Sequence, residues 1–355
     1  MEVRHDAPLA DLTTLRTGGA ARRLVVARSA DEVVDAVAGA DAAGERLLLL
    51  GGGSNVVLPD DGWDGTVVLV ASRGVRLVDE DDGAVGVVVE AGEPWDDLVA
   101  RTVDEGLAGL EPLSGIPGST GATPVQNVGA YGVETGDVLR RVEVWDRHDG
   151  VRRVLAADEL GLGYRTSALK GRDRLVVLRV TFALRRDGRS GPVRYQQLAA
   201  ALGVDMGERA PVAAVRDAVL DLRRGKGMVV DDGDPDTRST GSFFTNPVLD
   251  DAQLADLLRR VHERCGQDAS PPQFPDVSGR RKVSAAWLVE RAGFHRGYGR
   301  DGARVSGKHT LAITNASGTA ATADVLALAR EVRDGVRDAF GVELEPEPLL
   351  VGVQL

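Results

Sequence analysis

The stretch Gly51-Gly52-Gly53-Ser54-Asn55 follows the apolar run Leu47-Leu48-Leu49-Leu50 and precedes Val56-Val57-Leu58. A strand thus delivers the chain into a turn almost without side chains. Consecutive glycines allow positive φ and let a ligand approach the amides closely. Successive N–H groups in such a turn form an anion-binding concavity, whose natural guest is a phosphate or pyrophosphate. The plainer alternative is a tight turn between strands. Two familiar phosphate motifs fail. A dinucleotide fingerprint needs a third glycine where Val56 stands, and a helix rather than a strand-like run after it. Gly302-Ala303-Arg304-Val305-Ser306-Gly307-Lys308-His309 matches G-x-x-x-x-G-K, yet His309 stands where magnesium requires a Ser or Thr hydroxyl, and no apolar strand precedes it.

Three further positions carry chemistry. Arg165, within Gly163-Tyr164-Arg165-Thr166-Ser167, offers a planar donor fork suited to a carboxylate. Ser242 lies in Gly241-Ser242-Phe243-Phe244-Thr245-Asn246-Pro247, where adjacent phenylalanines can fix the backbone and shield the hydroxyl, so that it can relay a proton to a strongly basic carbon. Glu347 lies in Glu345-Pro346-Glu347-Pro348, held by prolines that restrict φ. Each has a simpler reading: a surface arginine, a strand start with two core aromatics, an acidic tail.

Composition removes several function classes. The chain has 355 residues, enough for two or three domains. Its net charge of −11, with no basic stripe, argues against nucleic acid as a partner. One cysteine, Cys265, rules out a disulfide within the chain and fits a cytoplasmic setting. With five histidines in no H-E-x-x-H arrangement, no metal site is expected. The N-terminus lacks an apolar signal core, and no window approaches the roughly 20 apolar residues of a membrane span.

The elements that must position these residues are partly legible. Residues 24–72 read as strand, helix, strand, turn, strand. Ser29 and Glu32 make a capping box, Val33, Val34, Val37 and Ala40 an apolar helical face, and Gly44 a stop. Residues 74–184 are richer in strand, with 85–89, 142–145 and 174–184 as candidates. Between the first two, Pro94 at N1 opens a helix whose face is Trp95, Leu98, Val99, Thr102 and Val103, stopped by Gly106. The nearly uncharged Gly/Pro run 113–132 reads as backbone packed against something, either a flat aromatic cofactor or the core itself. Val212, Val215, Val219 and Leu222 mark another helix. The acidic, disorder-like loop 231–236 is the expected hinge. Helical patterns follow at 250–265, at 283–292 with Ala286, Leu288 and Val289 inward, and at 322–340. Leu311-Ala312-Ile313 reads as a strand, and 342–351 as a last strand interrupted by prolines.

Taken together, the chain resembles the UDP-N-acetylenolpyruvoylglucosamine reductase (MurB) family. The resemblance rests on Leu12-Thr13-Thr14-Leu15-Arg16-Thr17-Gly18-Gly19, the 51–55 turn, and runs 115–121, 126–132, 164–170, 241–247, 285–293 and 344–347, and it spans essentially the whole chain. It implies an α+β fold: a two-lobed FAD-binding domain of the vanillyl-alcohol-oxidase (PCMH) type plus a C-terminal α+β substrate-binding domain. The expected divisions are 1–73, 74–210, 211–340 and a C-terminal strand at 341–355.

The resemblance further implies non-covalent FAD. Gly51, Gly52, Gly53, Ser54 and Asn55 would cradle its pyrophosphate. Pro117, Gly118, Ser119 and Gly121, with Asn127, Gly129, Ala130 and Tyr131, would lie along the flavin and its phosphates. NADPH would be the co-substrate, and UDP-N-acetylglucosamine enolpyruvate would be reduced to UDP-N-acetylmuramate for peptidoglycan synthesis. Arg165 and Glu347 would stabilise the enolate-like intermediate, Glu347 carrying a proton or a bridging group to avoid repelling the substrate carboxylate. Ser242 would be the proton donor. Tyr195, Lys226, Asn246 and His309 would contact the UDP diphosphate and its neighbours, Tyr195 and Lys226 marking the type I branch. The expected state is a cytoplasmic monomer. An FAD oxidase on the same cofactor fold is a competing reading, although 51–55 and 115–131 hold no His or Cys to tether a flavin. A non-enzymatic nucleotide-sugar binder is another, against which Arg165, Ser242 and Glu347 together speak.

Overall fold

The computed structural model describes residues 1–80, 82–276, 278–300 and 302–355. The chain divides into two compact units: 1–8, 20–53 and 63–229 form the first, and 9–19, 54–62 and 230–355 the second. Each is mixed helix and strand. Among the described residues no helix is long and apolar enough to cross a membrane.

Among the described residues the first unit holds, besides the small two-stranded sheet of Gly129–Ala130 with Val133–Glu134, two large sheets. In one, the strands run in the order Glu2–Pro8, Ala20–Ala27, Trp63–Val70, Leu47–Leu50; the first pair is antiparallel and the other two are parallel. Helix α1 (Ala30–Ala42) makes the crossover between Ala20–Ala27 and Leu47–Leu50. Ser29 Oγ accepts from the Glu32 amide at 3.2 Å. The Glu32 carboxylate, however, accepts from the Arg28 amide at 2.7 Å, so only half of the expected capping box forms. Val33 and Val37 pack with Val25 and Val68 of this sheet and with Val176 and Leu178 of the second.

That second, antiparallel sheet is ordered Val151–Ala156, Leu139–Asp146, Leu175–Arg186, Val85–Glu90, Val75–Asp79. Helix α2 (Trp95–Asp104) buries Trp95, Leu98, Val99, Thr102 and Val103, the face read from the sequence, with Pro94 one position earlier, as N-cap. Trp95 meets Phe182 edge to face, with ring centroids 5.8 Å apart. Helices α3 (Gln196–Leu202) and α4 (Val212–Arg224) close the unit over Leu198, Val215 and Val219.

In the second unit, a four-stranded sheet is ordered Ser239–Ser242, Ala312–Asn315, Ala303–Val305, Gly299–Arg300. A smaller sheet is ordered Val248–Leu249, Arg281–Val283, Gln273–Pro275. Helices α5 (Asp251–Cys265), α6 (Ala285–Arg291) and α7 (Thr322–Phe340) share its core with Phe243, Phe244, Leu15 and Val57. In α6 the buried alanine is Ala285 rather than Ala286. The 12–19 motif is a structural staple here: Thr14 Oγ1 donates to Ser239 O at 2.6 Å, and Asn315 Nδ2 to the carbonyls of Leu15 and Arg16 at 3.2 Å each.

The acidic loop 231–236 is folded, not disorder-like. Asp234 caps the 3-10 turn Pro235–Thr237. The Asp236 carboxylate accepts from the Gly307 amide at 3.0 Å, and Lys308 Nζ pairs with Asp234 at 2.5 Å. The chain's most P-loop-like segment is therefore tied down by carboxylates, with its lysine neutralised.

Candidate active site

The two units present their functional residues on different scaffolds. In the first, Gly51 and Gly52 lie where no side chain fits. A Cβ on Gly51 would strike Ser119 Oγ, and one on Gly52 would sit 2.6 Å from Gly118 Cα and 2.7 Å from its carbonyl carbon. Gly53 adopts φ +61°. Residues 118–121 are pinned from behind: the Trp95 amide donates to Gly118 O at 3.0 Å, Thr120 N to Glu93 O at 2.8 Å and Gly121 N to Ala91 O at 2.8 Å. Two glycine-bearing segments thus lie backbone to backbone, Ser119 being buried between them.

The segment 127–131 is built around left-handed backbone. Asn127, Tyr131 and Arg165 have φ of +48°, +51° and +52°. A non-glycine residue in this region stores strain, of order 1–3 kcal/mol each, that surrounding structure must hold. The holding bonds are visible. Buried Asn127 donates to Glu134 Oε2 at 2.7 Å and Gly163 O at 3.2 Å, and accepts from the Gly136 amide at 2.8 Å. Arg165 Nη2 donates to Gly129 O at 2.8 Å, and Lys170 Nζ to Arg165 O at 2.9 Å. Strand residues Gly129 and Ala130 pair with Val133 and Glu134. Arg165 and the 127–131 hairpin therefore form one frame.

Beside it, Tyr131 meets Tyr195 edge to face at 5.4 Å, and Lys226 Nζ lies 5.7 Å from the Tyr131 ring centroid. Lys226 also donates to Gln197 Oε1 at 3.1 Å. Burial, and then the nearby Arg223 charge, lower the Lys226 pKa below the ordinary lysine value. Arg223 is the residue that sequence reading missed. It is 8% exposed, donates to Met228 O at 2.8 Å, and leaves Nε without a partner. Burial pushes its pKa down to about 10, so it stays charged at neutral pH. Among the described residues neither cation has an ion-pair partner. Two cations held by a π face, an amide oxygen and a carbonyl, with no carboxylate in ion-pair contact, suit an anionic ligand. The signal was available: Arg223 continues the buried stripe Val215, Val219 at i+4 spacing.

In the second unit, Ser242 ends its strand after a bulge that includes Gly241 at φ +75°. Phe243 and Phe244 are fully buried and meet edge to face at 5.2 Å. Phe243 N donates to Leu311 O at 2.7 Å. The chain tail zips against this segment: Glu347 N donates to Phe243 O at 2.9 Å, Thr245 N to Glu345 O at 3.0 Å, and Phe244 bridges Pro346. Asn55 Nδ2 donates to Glu347 O at 3.4 Å, and Leu349 N to Asn55 O at 3.0 Å, where Val56–Val57 pairs in parallel with Leu349–Leu350. Ser242, Glu347 and Asn55 are thus placed by one hydrogen-bonded ladder. Asn246 Oδ1 accepts from the Ala285 amide at 2.9 Å, at the start of α6. His309 lies in a turn set by Ser306 Oγ, which accepts from the amides of Lys308 at 3.0 Å and His309 at 3.3 Å.

Comparison with known proteins decides the family. A model described as "FAD binding domain" matches residues 21–155, and one described as "UDP-N-acetylenolpyruvoylglucosamine reductase, C-terminal domain" matches residues 234–351. The UDP-N-acetylenolpyruvoylglucosamine reductase of Saccharopolyspora erythraea is 58% identical over 98% of this chain and 95% of its own length. The chain belongs to the UDP-N-acetylenolpyruvoylglucosamine reductase family. The Thermobifida fusca member is 54% identical over 99% of this chain and 98% of its own length. The crystal structure of the Thermus caldophilus member superposes with TM-score 0.64 at 26% identity, covering 98% of each chain. This protein is accordingly an FAD-dependent oxidoreductase of peptidoglycan synthesis. The residues present fit such a cofactor: Gly51, Gly52, Gly53 and Gly118 offer backbone that a ligand can approach closely, and Arg223 has a buried Nε without a partner near Gly115.

Proposed function

We propose that the enzyme takes its electrons from NADPH and reduces the enolpyruvoyl double bond of UDP-N-acetylglucosamine enolpyruvate, giving UDP-N-acetylmuramate. Bound FAD supplies the hydride chemistry that links NADPH to the vinyl carbon. The observation that carries the reading, beyond the family itself, is the ladder joining 243–245 to 345–347, which holds Ser242 and Glu347 in one rigid frame. Adding hydride to the terminal carbon leaves negative charge on the carbon that bears the carboxylate. Arg165, fixed through Gly129, contributes a permanent cation to that charge, and Glu347 a hydrogen-bonding carboxyl. Ser242 then delivers the proton to carbon; a serine is a weak acid, but the carbanion is a much stronger base. Tyr195, Lys226, Asn246 and His309 take the UDP diphosphate and its neighbours.

The purified protein should be yellow, release FAD on denaturation, bleach with NADPH and regain colour on adding the enolpyruvoyl substrate. A colourless protein that cannot be reconstituted with FAD sinks the reading. A second outcome follows from Lys226. Because burial and Arg223 disfavour its charged form, it loses its proton at lower pH than an ordinary lysine. Affinity for the diphosphate substrate should therefore fall as pH rises, starting below the range in which an ordinary lysine loses its proton, and Lys226→Arg should move that fall to higher pH. An alkaline limb identical in the two proteins removes Lys226 from the diphosphate contact.

A further inference from the structure

Asp96, in the first turn of α2, is tied to two elements at once. Its Oδ1 accepts from the Gly115 amide at 2.6 Å and from Arg216 Nη1 at 2.7 Å, while Oδ2 accepts from Arg216 Nη2 at 2.9 Å. The fork is bidentate, the geometry in which an arginine–carboxylate pair carries direction as well as energy. The Arg216 side chain is only 16% exposed. Although burial pushes the Asp96 pKa up, the bonds from Arg216 and Gly115 prevail and hold it below the ordinary aspartate value.

The partners are well chosen for control of the site. Gly115, at φ +69°, opens the run that leads to Gly118 and Ser119, and a Cβ there would press on Leu220 and Val229 and touch Arg223. Arg216 sits on α4 seven residues before Arg223, two turns along one helical face, and Lys226 follows just past the end of that helix. Helix α2 has anchors besides this pair. Trp95 anchors that helix through Gly118 O and, by its indole N–H, Leu113 O, and Val103 packs with Val212 of α4.

We propose that Asp96 and Arg216 are positioning residues, a strut that keeps the Gly115 loop and the cation-bearing end of α4 in one frame. The inference rests on the reading that this loop serves FAD and that Lys226 serves the substrate diphosphate. Ligand contacts stay with the loop and the two cations; the strut sets their separation.

The test compares Asp96→Ala, Asp96→Asn and Arg216→Met with wild-type holoenzyme by amide hydrogen exchange, FAD dissociation constant and steady-state kinetics. Asp96→Ala removes the acceptor of Gly115 and should speed exchange at residues 113–116 and 224–228 about tenfold or more, and weaken FAD by a similar factor. Asp96→Asn keeps an oxygen for the Gly115 amide, so FAD should stay within about threefold while the lost ion pair raises KM for the enolpyruvoyl substrate. Arg216→Met should reproduce that KM change with FAD affinity and kcat nearly unchanged. Wild-type exchange at both segments in all three variants overturns the strut. So does a uniform fall in kcat, FAD affinity and Tm without the split, which marks a scaffold role only. Should Asp96→Ala fail to fold, the other two variants decide. A wild-type protein that holds no FAD sinks the functional reading, while the exchange rates still decide the strut.

Discussion

Replacing Ser242 with alanine is expected to leave reduction of bound FAD by NADPH intact and to slow its reoxidation by the enolpyruvoyl substrate by about 10²–10⁴-fold, the usual worth of a positioned proton donor. The split follows from chemistry and packing together. In the proposed mechanism nothing in the first half-reaction requires a proton from a serine hydroxyl, whereas the second ends with a carbanion that must be quenched. Alanine preserves the scaffold, because Ser242 acts as a strand residue through its backbone. The left-handed turn belongs to Gly241, the buried aromatics are Phe243 and Phe244, and the ladder to the tail starts at Phe243 O. None of these involves the Ser242 side chain. Stopped-flow absorbance separates the two half-reactions, and an unchanged Tm checks the fold. Equal slowing of both phases would make Ser242 a structural residue, and no slowing of either would move the proton donor elsewhere.

The sequence carried the parts of this arrangement that depend on local physics. The helical face of α2 was legible because five buried positions repeat at helical spacing between a proline and a glycine. The 51–53 turn was legible because nothing but glycine lets backbone approach backbone at the distances found against Gly118. What escaped depends on partners distant in sequence. The loop 231–236 looks disordered by composition, since four aspartates repel in isolation. Lys308, the Gly307 amide and Arg304, some 70 residues later, supply the counter-charge and donors that fold it. Arg223 is hard to read from sequence because burial of an arginine is rare; only its i+4 relation to Val219 marks it. The resemblance implies Asn127 as a ligand of the cofactor; the fold shows its side-chain bonds to Glu134, Gly136 and Gly163, which hold its own left-handed turn in place. Family resemblance carried the reaction itself, which no single segment discloses.

Gly52→Ala is expected to weaken FAD binding by about 10–100-fold while leaving a folded protein. The added methyl has nowhere to go: it meets Gly118 Cα, the Gly118 carbonyl carbon and the Ser119 amide at 2.6, 2.7 and 3.0 Å, all backbone atoms that cannot rotate away. Overpacking of this kind costs about 1–3 kcal/mol, and here it is relieved by parting the two glycine-bearing segments, so the cost falls on the cofactor. Core strands stay in place, because Leu48, Leu50, Val67 and Val68 lie on the far side of the turn within the parallel sheet. Gly39→Ala is the matched control. Gly39 sits inside α1 with no atom within 4 Å of an added Cβ, so alanine there should raise stability by about 0.5–1 kcal/mol and leave FAD affinity untouched. Thermal unfolding and fluorescence of released FAD read both quantities on the same samples. Wild-type affinity in Gly52→Ala would show that 51–53 is a plain turn between strands and that the pyrophosphate is held elsewhere.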